Sequence, residues 1–178
     1  MSLRSAVAEG LPPVTILATP RQYLVESVAQ DLLYAILDAC DDPEIQAMVQ
    51  TKQFGGLSLY NGKAASTFAL LAPYLCKIDT ENLSWIEREL KGRPWGYFVI
   101  VNPGTQLAQL RKHFRRFLLV TGPDGRELYF RFYDPRVITT FLRALNPREA
   151  SDFFGPIQEF VVPDIDQFLT IRLDSNRA

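Results

Sequence analysis

Between Leu110 and Val137 the chain reads LRKHFRRFLLVTGPDGRELYFRFYDPRV, and this stretch alone dictates a series of elements. Leu107, Leu110, Phe114 and Phe117 recur at steps of three, four and three, the buried stripe of an amphipathic helix from Thr105 to about Arg116. Phe117 to Thr121 reads as a buried strand. Gly122-Pro123-Asp124-Gly125 is a turn with a mechanism: Pro fixes φ, Asp hydrogen-bonds locally and Gly takes a positive φ. Leu128 to Tyr133 is the returning strand of a hairpin. Its alternation puts Leu128, Phe130 and Phe132 on one face and Tyr129, Arg131 and Tyr133 on the other. Asp134-Pro135 opens a further helix, with Asp as N-cap and Pro in the first position.

The same reasoning orders the rest of the chain. Val14 to Ala18 is a short strand, Pro20 to Gln30 a helix, and Leu32 to Leu37 (LLYAIL) a buried strand, with continuation of the preceding helix as the competing reading. Asp42-Pro43-Glu44 starts a helix that buries Ile45, Met48 and Val49. Leu57 to Tyr60 is a short strand. Phe68 to Ile78 is apolar and β-like, with Pro73 expected at an edge or a bend. Thr80 or Asn82 caps a helix with a Leu83, Ile86 and Leu90 stripe, and Trp95 to Val101 (WGYFVIV) is the clearest strand. After Asp134, Val137, Phe141, Leu142 and Leu145 form a buried stripe. Asn146-Pro147-Arg148-Glu149 has the form of a capping box, and Gly155-Pro156 stops that helix. Ile157 to Val162 and Phe168 to Leu173 are further strands. Strands alternate with helices through the middle and hairpin-like pairs come late. The expected fold is α/β: a mixed β-sheet with flanking helices and a late β-hairpin.

At 178 residues the chain suits one domain that buries roughly 70% of its unfolded surface, here taken as residues 1–178 with a flexible lead at 1–12. The net charge of −1 opposes a general nucleic-acid binder, for which a basic excess is the usual footprint. Cys40 and Cys76 make no disulfide framework and no metal motif, which fits small buried hydrophobes in a reducing cytoplasm. The opening of the chain shows no secretory signal pattern, and its longest apolar run is far too short for a bilayer.

Catalytic constellations are missing. The single histidine, His113, lies within Arg-Lys-His-Phe-Arg-Arg, where neighbouring cations disfavour the imidazolium that a general base must become. It is expected to be solvated or to pack on the helix. The glycines form neither a phosphate-binding loop nor a dinucleotide fingerprint. Asp38, Asp41 and Asp42 form a short acidic run that could serve a metal or acid–base role, or cap the helix at Pro43. No enzyme, cofactor or metal site is therefore expected.

The basic segment is the candidate partner surface. Arg111 and Arg115 line one flank of its helix, and Lys112 and Arg116 the other. They are either a solvated face favoured by the helix dipole or a surface for an acidic or mixed partner. Arg131 between two tyrosines has the composition of an interface hot spot, or of a structural ion pair or cation–π contact. Arg136 follows the Asp134 cap, where the dipole opposes a cation; pairing with Asp134, Glu149 or Asp152 would account for it. An anionic-ligand or nucleic-acid module working through the basic helix 105–117 is the alternative class.

Several segments, taken in order, carry a resemblance. They are LYAILDAC (Leu33 to Cys40), SLYNG (Ser58 to Gly62), LLAPYLCKI (Leu70 to Ile78), Trp95-Gly96 and LRKHFRRFLLV (Leu110 to Val120), then PDGRELYFRFYDPRV (Pro123 to Val137) and FFGPI (Phe153 to Ile157). Over about residues 33–160 the chain resembles the type VI secretion effector chaperones, or adaptors, of domain of unknown function 4123. The resemblance implies a non-enzymatic cytoplasmic protein of a Gram-negative bacterium. Such a protein binds a toxic effector and helps load it onto the VgrG spike; it has no membrane role. Arg111, Arg115, Arg116, Arg131, Tyr133, Asp134 and Arg136 fall within these segments and are the expected partner-binding residues. Many members continue into a further C-terminal region, whereas this chain ends at Ala178.

Overall fold

The computed structural model describes residues 14–40, 42–49, 51, 54–90, 93–121 and 124–173. The expected lead at 1–12, Asp41, Gly122 and Pro123 lie outside the described residues. The elements in order are β1 (Val14–Thr19), α1 (Arg21–Ala29), β2 (Leu33–Asp38), α2 (Pro43–Val49), β3 (Leu57–Ser58), α3 (Gly62–Thr67) and a 3-10 turn (Ala69–Leu71). They continue with β4 (Pro73–Lys77), α4 (Thr80–Leu90), β5 (Gly96–Val101), α5 (Leu107–Arg115), β6 (Leu119–Thr121) and β7 (Glu127–Tyr129). The last four are α6 (Pro135–Ala144), α7 (Pro147–Phe154), β8 (Ile157–Pro163) and β9 (Phe168–Leu173).

Seven strands form one sheet in the order β1-β9-β8-β5-β2-β4-β3. The α/β class and the flanking helices are as expected. Strand direction differs from the expected mixed sheet, since every neighbouring pair is antiparallel. The topology explains why. β4 and β5, joined through α4, both run antiparallel to β2, so they are parallel to each other but held apart by it. The alternation of strand and helix is real; the intervening strand removes the parallel pairing that such alternation usually brings.

The sheet is covered on both faces. On one, α5, α6 and α7 contribute Leu110, Phe114, Ile138, Leu142, Phe153 and Phe154 to a core with Tyr34, Ile36, Tyr97, Val99 and Phe160 of the strands. On the other, α1, α2 and α4 contribute Leu24, Ile45, Val49, Leu83, Ile86 and Leu90 against Leu33, Ala35, Leu37, Phe98 and Ile100. Every residue of β2 and β5 is buried, which is why both read as apolar runs, broken in β2 only by its last residue, Asp38. Phe153 is an aromatic hub, with ring centroids at 4.7 Å from Phe117, 5.0 Å from Phe141 and 5.7 Å from Phe160.

The caps act as their chemistry requires. Asp42 Oδ1 accepts from the backbone N–H groups of Glu44 and Ile45, and Asp134 Oδ1 from that of Arg136. Asn146 and Glu149 form a complete capping box. At α4 the cap is Asp79, which accepts from Glu81 and Asn82, rather than Thr80 or Asn82. The Asn82 side chain completes the exchange by accepting from Asp79 N–H at 3.0 Å. Pro73 is neither on an edge strand nor at a bend. It is the first residue of an interior strand, where its missing donor costs little. Of the expected stripe on α6, Leu142 is buried, while Val137, Phe141 and the C-cap Leu145 are half-buried; Pro135 and Ile138 are the other buried residues of the helix.

His113 packs inside the helix layer rather than in solvent. One ring nitrogen, Nε2, bonds the Phe153 carbonyl at 2.8 Å, and the ring sits edge-on to Phe114 and Phe117. Gly155 ends α7 at φ 49°, and a side chain there would run into the imidazole, with Nδ1 only 2.8 Å from its Cβ. Burial lowers the His113 pKa, the bond to Phe153 opposing it in part. A base with a depressed folded-state pKa binds its proton more tightly when unfolded. Its contribution to stability is therefore present above the unfolded value of about 6.5 and is lost as pH falls through the lower folded value. The urea midpoint of the protein should drop between pH 7 and pH 5, and that of His113→Gln should drop less over the same interval. Parallel curves for the two proteins would contradict this.

Candidate functional site

Beyond the sheet the chain makes a second, two-stranded unit. β6 and β7 pair antiparallel, Leu119 with Tyr129, Val120 with Leu128 and Thr121 with Glu127. The late hairpin is thus present, but it is short and stands in solvent. All six residues are exposed, and Leu119, Val120, Leu128 and Tyr129 are exposed by between 41% and 56%. The expected buried strand at Phe117 to Thr121 is corrected accordingly. So is the long strand from Leu128. Pairing ends at Tyr129, the chain turns inward, and Phe132 and Tyr133 are buried. Tyr129, Arg131 and Tyr133 therefore do not share a strand face.

The base of the hairpin is anchored firmly. Phe130 N–H donates to the Leu118 carbonyl at 2.9 Å, and the Phe130 ring packs on Phe141 at 4.7 Å. Phe114 stacks on Phe132 at 5.5 Å. Tyr129 leans on Tyr60, just beyond β3, at 5.4 Å. An isolated two-stranded ribbon is marginal in water, so this one owes its shape to the aromatic layer beneath it. Large side chains also stand out just before β4, where Phe68 and, within the 3-10 turn, Leu70 and Leu71 are exposed.

The expected site residues divide into three groups. Arg111 is half-buried and ties two elements together. Its Nε donates to the Ser58 carbonyl at 2.7 Å and its Nη2 to the Tyr60 carbonyl at 3.1 Å. Burial and the neighbouring Arg115 lower its pKa. Arg115 is half-buried and Lys112 exposed on the same helix. Arg116 is directed elsewhere, to Asp152 of α7 at 2.7 Å.

The remaining four lie together where the hairpin returns to the sheet. Arg131 Nη2 meets Asp38 Oδ2 at the C-terminal end of β2 at 2.6 Å, and its guanidinium lies 5.8 Å from the Tyr133 ring centroid. Asp38 is only 4% exposed, and its Oδ1 also accepts from Cys40 N–H. The bond to Asp38 raises the Arg131 pKa. Tyr133 is buried, and its hydroxyl is pushed well above its usual range by that burial and by Tyr60. Arg136 grips Asp134 with two bonds, Nε to Oδ1 at 2.9 Å and Nη2 to Oδ2 at 2.6 Å. Burial alone would raise the Asp134 carboxyl, but the Arg136 side chain and backbone N–H outweigh it and hold the carboxyl below the usual range. Of the three partners weighed for Arg136, Asp134 is the one the structure shows.

Among the described residues no group of three or more His, Cys, Asp or Glu side chains is gathered to hold a metal ion. Cys76 is buried, and its thiol is pushed up to about 12. No helix among the described residues is long and apolar enough to cross a membrane.

Sequence reasoning missed the exposure of Leu119, Val120, Leu128 and Tyr129. Apolar residues on both faces of a strand read as burial on both sides, and no local pattern shows that no layer covers this hairpin.

The fold defines the class: an α/β domain on one antiparallel sheet, helices on both faces, with an exposed hairpin between its fifth and sixth helices. The chain belongs to the family described as domain of unknown function DUF4123, whose model matches residues 33–152, from β2 into α7. No curated protein and no solved structure matches it.

The Asp38–Arg131 pair yields a direct expectation. Arg131→Ala leaves a buried carboxylate with one backbone donor, which should cost about 1–3 kcal/mol, toward the lower end because the Arg131 side chain is half exposed. Urea unfolding of Arg131→Ala, Asp38→Asn and the double variant should give a double loss smaller than the sum of the singles. Additive losses would show that the two side chains do not depend on each other.

Proposed function

We propose that this protein is a non-enzymatic adaptor that binds a type VI secretion effector in the cytoplasm of a Gram-negative bacterium and helps load it onto the VgrG spike. Membership of the family over residues 33–152 supports this reading through the chaperones it resembles. The observation that carries it is the hairpin. Leu119, Val120, Leu128 and Tyr129 place apolar and aromatic area in solvent on a rigid base, the makings of a protein-binding anchor. Lys112 and Arg115 lie on the helix that precedes β6 in the chain.

The alternative, an anionic-ligand or nucleic-acid module on the basic helix, draws less support. Arg116, Arg131 and Arg136 are each paired with a carboxylate, and Arg111 with two carbonyls. Few cations remain to neutralise a run of phosphates.

Affinity capture of the tagged protein from lysate of its source bacterium, read by mass spectrometry, should retain a toxin-like effector or a VgrG protein. Val120→Ser combined with Leu128→Ser, which puts no like charges opposite each other, should lower that recovery about tenfold or more. It should leave the melting temperature nearly unchanged, because both residues are exposed and surface substitutions usually stay within about 0.5 kcal/mol. Capture without either kind of partner, or undiminished by the two substitutions, would overturn the reading.

A further inference from the structure

At the β1 edge of the sheet, β1, α1, β8 and β9 border an open depression of about 420 Å³. Leu17, Pro20, Tyr23, Glu26, Glu159 and Arg172 line it. All six lie outside the residues 33–152 matched by the family.

The pairing register gathers the strand residues on one face, with Glu159 opposite Arg172 and Leu17 opposite Thr170. Glu159 is 7% exposed, a buried carboxylate. Its Oε2 accepts from the Tyr23 hydroxyl at 2.7 Å. Its Oε1 lies 3.8 Å from Arg172 Nη1, too long for a hydrogen bond, and the Arg172 side chain is half exposed. That neighbour compensates the carboxylate weakly. Glu26 adds a second carboxylate, so the lining sets two negative charges against one positive. An anionic ligand would meet both carboxylates. A guanidinium or ammonium group would find charge-assisted acceptors for its head, the Tyr23 ring for a cation–π contact, and Leu17 and Pro20 for its methylenes.

β1 gives this depression a backbone partner. It is an edge strand, paired with β9 on one side and with no other strand among the described residues. Edges are ordinarily blunted by a charge, a proline or a bulge. The sequence VTILAT carries neither charge nor proline, and its pairing with β9 is unbroken from Val14 to Thr19. Leu17, lining the depression, is 45% exposed. Strand addition to an open edge supplies main-chain hydrogen bonds, and a neighbouring pocket supplies side-chain selectivity.

We propose that this end of the sheet is a peptide-binding site. An extended segment of a partner protein pairs with the open edge of β1 and places an arginine or lysine side chain in the depression against Glu159 and Glu26. The site stands on its own geometry and does not depend on the secretion reading.

The test is an NMR titration of the isotope-labelled full chain with the capped peptide Thr-Val-Arg-Val-Thr, the same peptide with Gln for Arg, and agmatine. The arginine peptide should shift amide resonances of β1 and α1. It should bind about tenfold tighter than either other probe, the factor that one charged hydrogen bond supplies. Glu159→Gln should weaken it about tenfold, and Glu26→Gln about threefold. Glu26 is exposed on α1, so its variant decides the matter should Glu159→Gln impair folding. Four results would overturn the proposal: no shift with the arginine peptide, equal binding of the glutamine peptide, equal binding of agmatine, or affinity undiminished in both variants.

Discussion

Double-sided burial of β2 and β5 is the constraint on which the rest of the structure depends. Each strand is enclosed along its whole length, so helices must cover both faces of the sheet. One cover, α1, α2 and α4, is largely aliphatic. The other, α5, α6 and α7, is aromatic and centred on Phe153. Aromatic rings bury large areas and pack edge to face with defined geometry, so the second layer is rigid enough to hold structure beyond itself. The β6–β7 hairpin is that structure. It leaves the layer at Leu118 and re-enters at Phe130, with its apolar side chains in solvent between those two points.

Charge is distributed to the same end. Arg131 compensates Asp38, and Arg136 closes on Asp134, so the segment from Arg131 to Arg136 is held by its own ion pairs where the hairpin rejoins the sheet. Arg111 bonds two carbonyls beside β3 and brings Tyr60 under Tyr129. These arginines hold the segments around the hairpin, whose exposed side chains are largely hydrophobic. On the proposed adaptor reading, apolar area on such a base would supply affinity through burial, and nearby cations would supply orientation.

Much of the fold was legible in the sequence because it rests on local rules. Asp42-Pro43, Asp134-Pro135 and the Asn146 capping box start helices where expected. LYAIL and GYFVIV are buried strands because only a doubly covered strand tolerates such runs. Strand direction was not legible, because it depends on β2 lying between β4 and β5, a long-range fact with no local signature. The candidate site was legible in part. Asp134 as a cap follows from spacing, whereas spacing left Arg136 open to Asp134, Glu149 or Asp152, and Arg131 meets Asp38 across 93 positions of the chain. The hairpin was placed, but its burial was misjudged. Apolar residues imply burial in a core only when another layer exists to cover them, and periodicity carries no information about that layer.

The most direct test of the central claim is hydrogen–deuterium exchange on the hairpin, with and without the captured effector or spike protein. If the hairpin is the docking surface, amides of residues 119–121 and 127–129 should exchange much more slowly in the complex, while those of β2 and β5 stay protected in both states. Unchanged exchange at the hairpin, with slowing confined to another surface, would contradict the account.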